Sequence, residues 1–182
     1  MALRIYGNRL LKTVSGNKTR PTTGRVREAV FNICQGKVAG TRWLDLCAGN
    51  GTIGAEALCR GAAAVTGIEQ SGFACQVIRD NWQRVAQDNQ IYGVIRGDVR
   101  KQLATLVGKR FDYIYFDPPY GGGLYEPVLT AISEHQLLHA KGTLMVEYNP
   151  DQWQVIEPPG LLHFRQKAYG RTHLAFYRWG SG

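Results

Sequence analysis

The chain has 182 residues, 44% of them hydrophobic and 20% charged, which suits one globular domain with a real core, whereas two domains would each be small. No stretch approaches the roughly 20 apolar residues of a membrane span, and Met1-Ala2-Leu3-Arg4 opens onto no apolar signal region, so a soluble, cytoplasmic protein is expected. Cys34, Cys47, Cys59 and Cys75 form no Cys-x-x-Cys pair and have no histidine at zinc-ligand spacing, which argues for reduced, mostly buried thiols and against a bound metal.

The formal net charge of +8 is unevenly placed. Arg4, Arg9, Lys12, Lys18, Arg20, Arg25 and Arg27 come before the first acid, and Arg165, Lys167, Arg171 and Arg178 follow the last one, Glu157, so the centre is mildly acidic. Basic residues interleaved with Tyr6, Gly7, Asn8, Ser15, Gly16 and Asn17 suit a flexible arm that contacts phosphates. Arg4, Arg9, Lys12, Lys18 and Arg25 are the candidate contacts to such a polyanion.

In chain order, Leu3–Tyr6 and Leu10–Val14 read as a short hairpin around Gly7-Asn8, followed by a loop at 15–18. The spacing of Val26, Val30 and Ile33 predicts a helix to about Cys34, ended by Gly36. Its lead-in, Arg20-Pro21-Thr22-Thr23, suits a helix cap and a ligand or phosphate contact equally well. From Trp43 onward strands are expected at 42–46, 64–68, 91–96, 111–116 and 143–147, with helices starting near Gly54, Phe73, Val99 and Tyr125. That rhythm implies an α/β fold with a mostly parallel, doubly wound sheet. Leu161–Ala168 and His173–Arg178 are separated only by Tyr169-Gly170-Arg171-Thr172, which permits an antiparallel hairpin and so a reversed last strand. The whole chain reads as one unit, a basic extension and helix over 1–36 followed by a core over 37–182.

Asp45-Leu46-Cys47-Ala48-Gly49-Asn50-Gly51-Thr52-Ile53-Gly54 ends the first core strand and opens a helix. Gly49, Gly51 and Gly54 match the Gly-x-Gly-x-x-Gly dinucleotide fingerprint, and Glu69, 20 residues after Gly49, stands where a ribose-binding acid belongs. An NAD enzyme is therefore a rival reading. Asp45 favours a different ligand, because a carboxylate there repels a diphosphate and attracts the ammonium and sulfonium of S-adenosylmethionine. Glu69 closes the second strand and can take both ribose hydroxyls, while Asp98 closes the third and can accept from the adenine amine. Each is also an ordinary helix N-cap type, but acids at successive strand ends line one edge of the sheet. Ala48, Gln70 and Val99 adjoin them, and Arg20 and Thr22 can reach the same ligand.

Asp117-Pro118-Pro119-Tyr120 follows the strand Phe111–Phe116. Two prolines hold φ near −65° and stiffen the carbonyls between Asp117 and Tyr120. A carboxylate, a fixed carbonyl and an aromatic plate suit a planar base with an exocyclic amine, with the Asp117 carboxylate and Pro118 carbonyl taking the two N–H bonds and Tyr120 stacking on the ring. Asp117, Pro118 and Tyr120 are the candidate catalytic residues, and the same tetrapeptide serves adenine N6, cytosine N4 and guanine N2.

These residues resemble the RsmD family, 16S ribosomal RNA guanine-N2 methyltransferases. The resemblance runs through Arg20-Pro21-Thr22, Arg25–Asn32, Leu44–Gly51, Glu56–Ala62, Asp117-Pro118-Pro119-Tyr120, Glu147 and Tyr169-Gly170-Arg171-Thr172. It implies a three-layer, Rossmann-like class I methyltransferase sheet of seven strands with the last strand antiparallel, and S-adenosylmethionine as cofactor. The implied substrate is a guanine of 16S rRNA in the small ribosomal subunit or its assembly intermediate, which makes Arg4, Arg9, Lys12, Lys18 and Arg25 RNA contacts. A monomer without metal is expected. Cys47 and Asn50 replace the family's usual aromatic residue and serine, and Gly24 its usual Asp or Ser; these changes fall in turns and imply altered affinity and unchanged chemistry. The alternatives are an adenine-N6 or cytosine-N4 nucleic-acid methyltransferase and a non-catalytic RNA-binding assembly factor.

Overall fold

The computed structural model describes residues 2–14, 24–34, 36–119, 121 and 123–180. A hairpin of β1 (Ala2–Ile5) and β2 (Arg9–Lys12) precedes helix α1 (Gly24–Ile33). Strands β3 (Arg42–Leu46), β4 (Ala64–Glu69), β5 (Ile91–Arg96), β6 (Phe111–Phe116) and β7 (Leu138–Tyr148) then alternate with α2 (Thr52–Cys59), α3 (Gly72–Val85), the short α4 (Val99–Gln102) and α5 (Tyr125–Glu134). The chain closes with β8 (Leu161–Tyr169) and β9 (Thr172–Trp179). No helix among the described residues is long and apolar enough to cross a membrane.

The seven-stranded sheet has the order β5-β4-β3-β6-β7-β9-β8. Its first five strands are parallel, and β9 runs antiparallel to both β7 and β8. The reversed strand is thus last in the chain and second to last in the sheet, inserted between β7 and the edge strand β8. Strand order reverses between β3 and β6, and the crevice beyond their carboxyl ends is where an open α/β sheet takes its ligand.

One strand starts earlier than the sequence implies. Phe111 pairs with Leu138 and Tyr113 with Thr143, so residues 139–142 bulge opposite Asp112. His139-Ala140-Lys141-Gly142 looks like a turn when read locally. At Gly142 a Cβ would lie 2.9 Å from the Asp112 carbonyl, so only glycine fits this close approach.

Period-two alternation sorts the strand residues onto two faces. Trp43, Tyr115, Met145, Leu174 and Phe176 pack with α1, α2 and α3. Leu44, Ile114, Phe116, Val146 and Tyr177 pack with α4 and α5. The three-layer architecture follows.

The N-terminal hairpin belongs to the first of these cores, with Ile5 5% and Leu11 1% exposed. The fully buried Asn81 of α3 brackets the Lys12 backbone, accepting its N–H at 2.8 Å and donating to its carbonyl at 3.0 Å. Arg9 donates to the Val85 carbonyl at 2.7 Å, and Lys12 pairs with Asp80 at 2.7 Å. A flexible arm is therefore the wrong description of residues 2–12; they form a docked hairpin. Arg27 is no surface cation either: buried, it pairs at 2.5 Å with Glu56, which Arg60 meets at 2.8 Å.

Candidate active site

At the carboxyl ends of β3, β4, β5, β6 and β7 lies a cavity of about 500 Å³. Acids from five successive strand ends enter it: Asp45, Glu69, Asp98, Asp117 and Glu147. Ala48, Gly49, Gln70 and Val99 complete the predicted donor side, and Asp117, Pro118 and Pro119 form the other. The sequence-predicted Tyr120, Lys18, Arg20 and Thr22 lie outside the described residues.

The turn after β3 is shaped by backbone at positive φ: Cys47 59°, Gly49 57° and Gly51 71°. Only Gly49 among the fingerprint glycines faces open space where a Cβ would stand. At Gly51 a Cβ would meet the Trp82 ring nitrogen at 2.7 Å, and at Gly54 the same ring at 2.3 Å. Trp82 also donates its N–H to the Gly51 carbonyl at 2.7 Å. Gly51 lines no part of the cavity, so the expectation that it contacts the cofactor is corrected: the close approach it permits is that of an indole from α3.

Asp45 is 2% exposed and accepts the Gly54 N–H at 3.1 Å. Burial outweighs that bond and, with the nearby Glu69 charge, pushes its carboxyl up to about 8. Asp45 alone is therefore largely protonated at neutral pH, and the preference for a cationic ligand rests on the whole acidic set. Burial and the Glu69, Asp117, Asp45 and Asp98 carboxylates together push the Cys47 thiol up. Among the described residues the single lining cation, Arg100, is held to Asp98 at 2.5 Å.

Glu69 is fixed by the Gly49 N–H at 2.9 Å and the Ser71 N–H at 2.8 Å, one to each oxygen. Each oxygen keeps a further acceptor direction, which fits a diol. Asp98 caps α4 by accepting the Arg100 N–H at 2.9 Å, and the Arg100 guanidinium lowers its carboxyl to about 2. The ordinary cap role is realised at Asp98, while its place in the cavity wall is kept. The five acids and one already paired cation among the described lining residues match the ammonium, sulfonium, ribose diol and adenine of S-adenosylmethionine, and oppose a pyrophosphate.

Glu147 is the site residue that local reading missed. It is 5% exposed, stands beside Asp117 because Phe116 pairs with Val146 one residue earlier, and its Oε2 accepts the Tyr115 hydroxyl. The Tyr125 hydroxyl donates to the Glu147 carbonyl at 3.2 Å, and Trp153 stacks on Tyr125 at 4.3 Å. The signal was present: Glu147 is an acid at a strand's carboxyl end, as Asp45, Glu69, Asp98 and Asp117 are.

The predicted polyanion contacts are dispersed. Arg4 donates to the Asn8 side chain, and Arg9 and Lys12 hold the hairpin to α3. Arg25 enters a second, shallower cleft against β8.

The sheet order with its reversed β9, the turn after β3 and the acid-lined crevice define a class I methyltransferase. The family model described as Conserved hypothetical protein 95 matches residues 3–178, and the chain belongs to that family, the RsmD methyltransferases. YlbH of Bacillus subtilis, provisionally named an rRNA methyltransferase, is 34% identical over 175 residues, 93% of each chain. Ribosomal RNA small subunit methyltransferase D of Escherichia coli K12 is 29% identical, covering 97% of this chain and 89% of its own. The solved structure of Escherichia coli yhhF, provisionally named a methyltransferase, matches with a TM-score of 0.85 at 27% identity over 100% of both chains.

Proposed function

We propose that the protein methylates the exocyclic N2 amine of a guanine in 16S rRNA, acting as a cytoplasmic monomer on the small ribosomal subunit or its assembly intermediate. The observation that carries the reading is the shared cavity: Asp117 and Pro118 line it together with the turn after β3, whose strand neighbours β6, and with Glu147 beside Asp117. Relatives named as rRNA methyltransferases support the substrate class.

Asp45, Ala48, Gly49, Glu69, Gln70, Asp98 and Val99 would hold S-adenosylmethionine, which when bound supplies an electrophilic methyl group. A guanine N2 lone pair is delocalised into its ring. Hydrogen bonds from the amine to the Asp117 carboxylate and the Pro118 carbonyl draw it toward a tetrahedral, nucleophilic geometry, and the proton that the alkylated amine must lose passes to Asp117 Oδ. Pro118 is buried and keeps water from that edge. Positioning of this kind supplies several kcal/mol of barrier lowering, about 7–11 in the best intramolecular cases. Glu147, oriented by Tyr115, accepts the guanine N1–H; adenine and cytosine place a lone pair at the corresponding ring nitrogen and meet repulsion. That favours guanine among the three amines the tetrapeptide can serve.

The test incubates the protein with methyl-labelled donor and 30S particles, naked 16S rRNA or duplex DNA, followed by nucleoside digestion. Label in N2-methylguanosine from an RNA substrate is expected. Label in N6-methyladenosine or N4-methylcytidine, or binding of RNA without any transfer, overturns the reading.

A further inference from the structure

The two basic ends of the chain meet in space. A cleft of about 300 Å³ between α1 and β8 brings Arg25 and Asn32 against Arg165, Lys167 and Tyr169, with Glu28 as the one acid among its described residues. Arg165 pairs with Phe176 and Lys167 with Leu174, and both partners belong to the core beneath α1. Cross-strand partners share a face, so Arg165, Lys167 and, two residues on, Tyr169 stand on the face that α1 covers.

Charge accounting separates these cations from others in the protein. Lys12, Arg27, Arg60 and Arg100 each sit in an ion pair. Among the described residues, Arg25, Arg165 and Lys167 sit in none, although they line one concavity. Three cations against the single carboxylate of Glu28 leave the described cleft with a net positive charge, which raises the local potential and attracts an anion. Asn32 adds an amide donor, and Tyr169 a hydroxyl and a flat ring.

Position narrows the anion. Leu174 pairs with Glu147 on one side and with Lys167 on the other. Lys167 therefore lies two strand spacings from Glu147, roughly 10 Å along the same carboxyl edge of the sheet. A strand whose base enters the cavity at Asp117 and Glu147 can bring neighbouring phosphates to this edge. We infer that the α1–β8 cleft binds backbone phosphates of the RNA flanking the target base, through Arg25, Arg165 and Lys167. This rests on the proposed RNA substrate.

The experiment compares the full-length wild type with the double variant Arg165→Gln/Lys167→Gln. Lys109→Gln/Lys141→Gln serves as control, since it removes the same charge from exposed positions at the opposite edge of the sheet. RNA affinity is measured by titration across salt concentrations, beside the KM for 30S particles and donor affinity by calorimetry. The cleft variant is expected to lower the log–log salt slope by about 1.5, as two lost phosphate contacts require, and to raise KM at unchanged donor affinity, while the control moves neither. Equal slopes and equal KM for the cleft variant and the wild type overturn the inference. So does protection of the cleft by inorganic phosphate without any change in RNA slope, which would mark a small-anion site, or loss of binding to an acidic protein with RNA binding intact. Because the slope is read from binding, it stays decisive if the wild type transfers no methyl group, an outcome that removes the proposed reaction alone.

Discussion

Glu56 and Asp45 are each 2% exposed, yet Glu56 lies between the guanidiniums of Arg27 and Arg60, whereas Asp45 has the Gly54 N–H and the repelling charge of Glu69. Glu56 points from α2 toward α1 and meets its counter-charges within the chain. Asp45 ends β3 and opens onto the cavity, where among the described residues the engaged Arg100 is the one lining cation. The contrast separates an acid whose charge is already compensated, and so holds the fold, from an acid set whose compensation comes from a ligand.

The largest expected effect tests the compensated acid. Glu56→Ala leaves Arg27 buried without its partner, and breaking a buried pair in this way costs about 3–5 kcal/mol. Urea unfolding will show the loss, while donor affinity per folded molecule stays unchanged. A cost under about 1 kcal/mol, the range of an exposed pair, breaks the comparison. Next comes Asp117→Ala, which is expected to reduce transfer about 10²–10³-fold, the scale seen when one preorganised hydrogen-bonding group is removed. Thermal stability and donor binding remain near wild type, and Asp117→Asn, which keeps one acceptor oxygen, retains partial turnover. Full turnover of Asp117→Ala contradicts the assigned role.

Glu69→Ala comes third. Losing one charge-assisted bond to the donor costs about 1.5–3 kcal/mol, read by calorimetry as weaker donor binding with the maximal rate less affected. The smallest effect is a pH dependence. The folded-state pKa of Asp45 is raised from 3.8 to about 8, so its contribution to stability is present at low pH and is lost as pH rises through that window. A cationic donor pulls in the opposite direction by favouring the ionised carboxyl. Donor affinity is therefore expected to fall as pH drops below 8, by at most about 1.4 kcal/mol per pH unit, with a proton released on binding. Calorimetry in two buffers of different ionisation enthalpy detects that proton, and Asp45→Asn abolishes its release.

Strand and helix order was legible because each core strand is a short β-branched or aromatic run followed by turn residues, and the Asp117-Pro118-Pro119 exit of β6 is stiff by composition alone. What failed was information carried by distant residues. Gly51 and Gly54 look like ligand-approach glycines until Trp82, about thirty residues later, is seen to occupy the space beside them. Arg9 and Lys12 look like a free basic arm until Val85 and Asp80 of α3 supply their partners. Glu147 shows a different failure, since the strand-end rule that picked out four acids applied to the fifth as well. The hairpin's docking also decides how its charges are to be tested: truncation before residue 13 would uncover the core around Ile5 and Leu11, so single substitutions at exposed Arg4 are the sounder probe.

The most direct measurement is the nucleoside composition of 16S rRNA from cells lacking this protein, compared with cells complemented by the wild type or by Asp117→Ala. The account predicts one N2-methylguanosine missing from the deletion strain, restored by the wild type and not by Asp117→Ala. Unchanged N2-methylguanosine in the deletion strain, or its restoration by Asp117→Ala at the wild-type level, would contradict it.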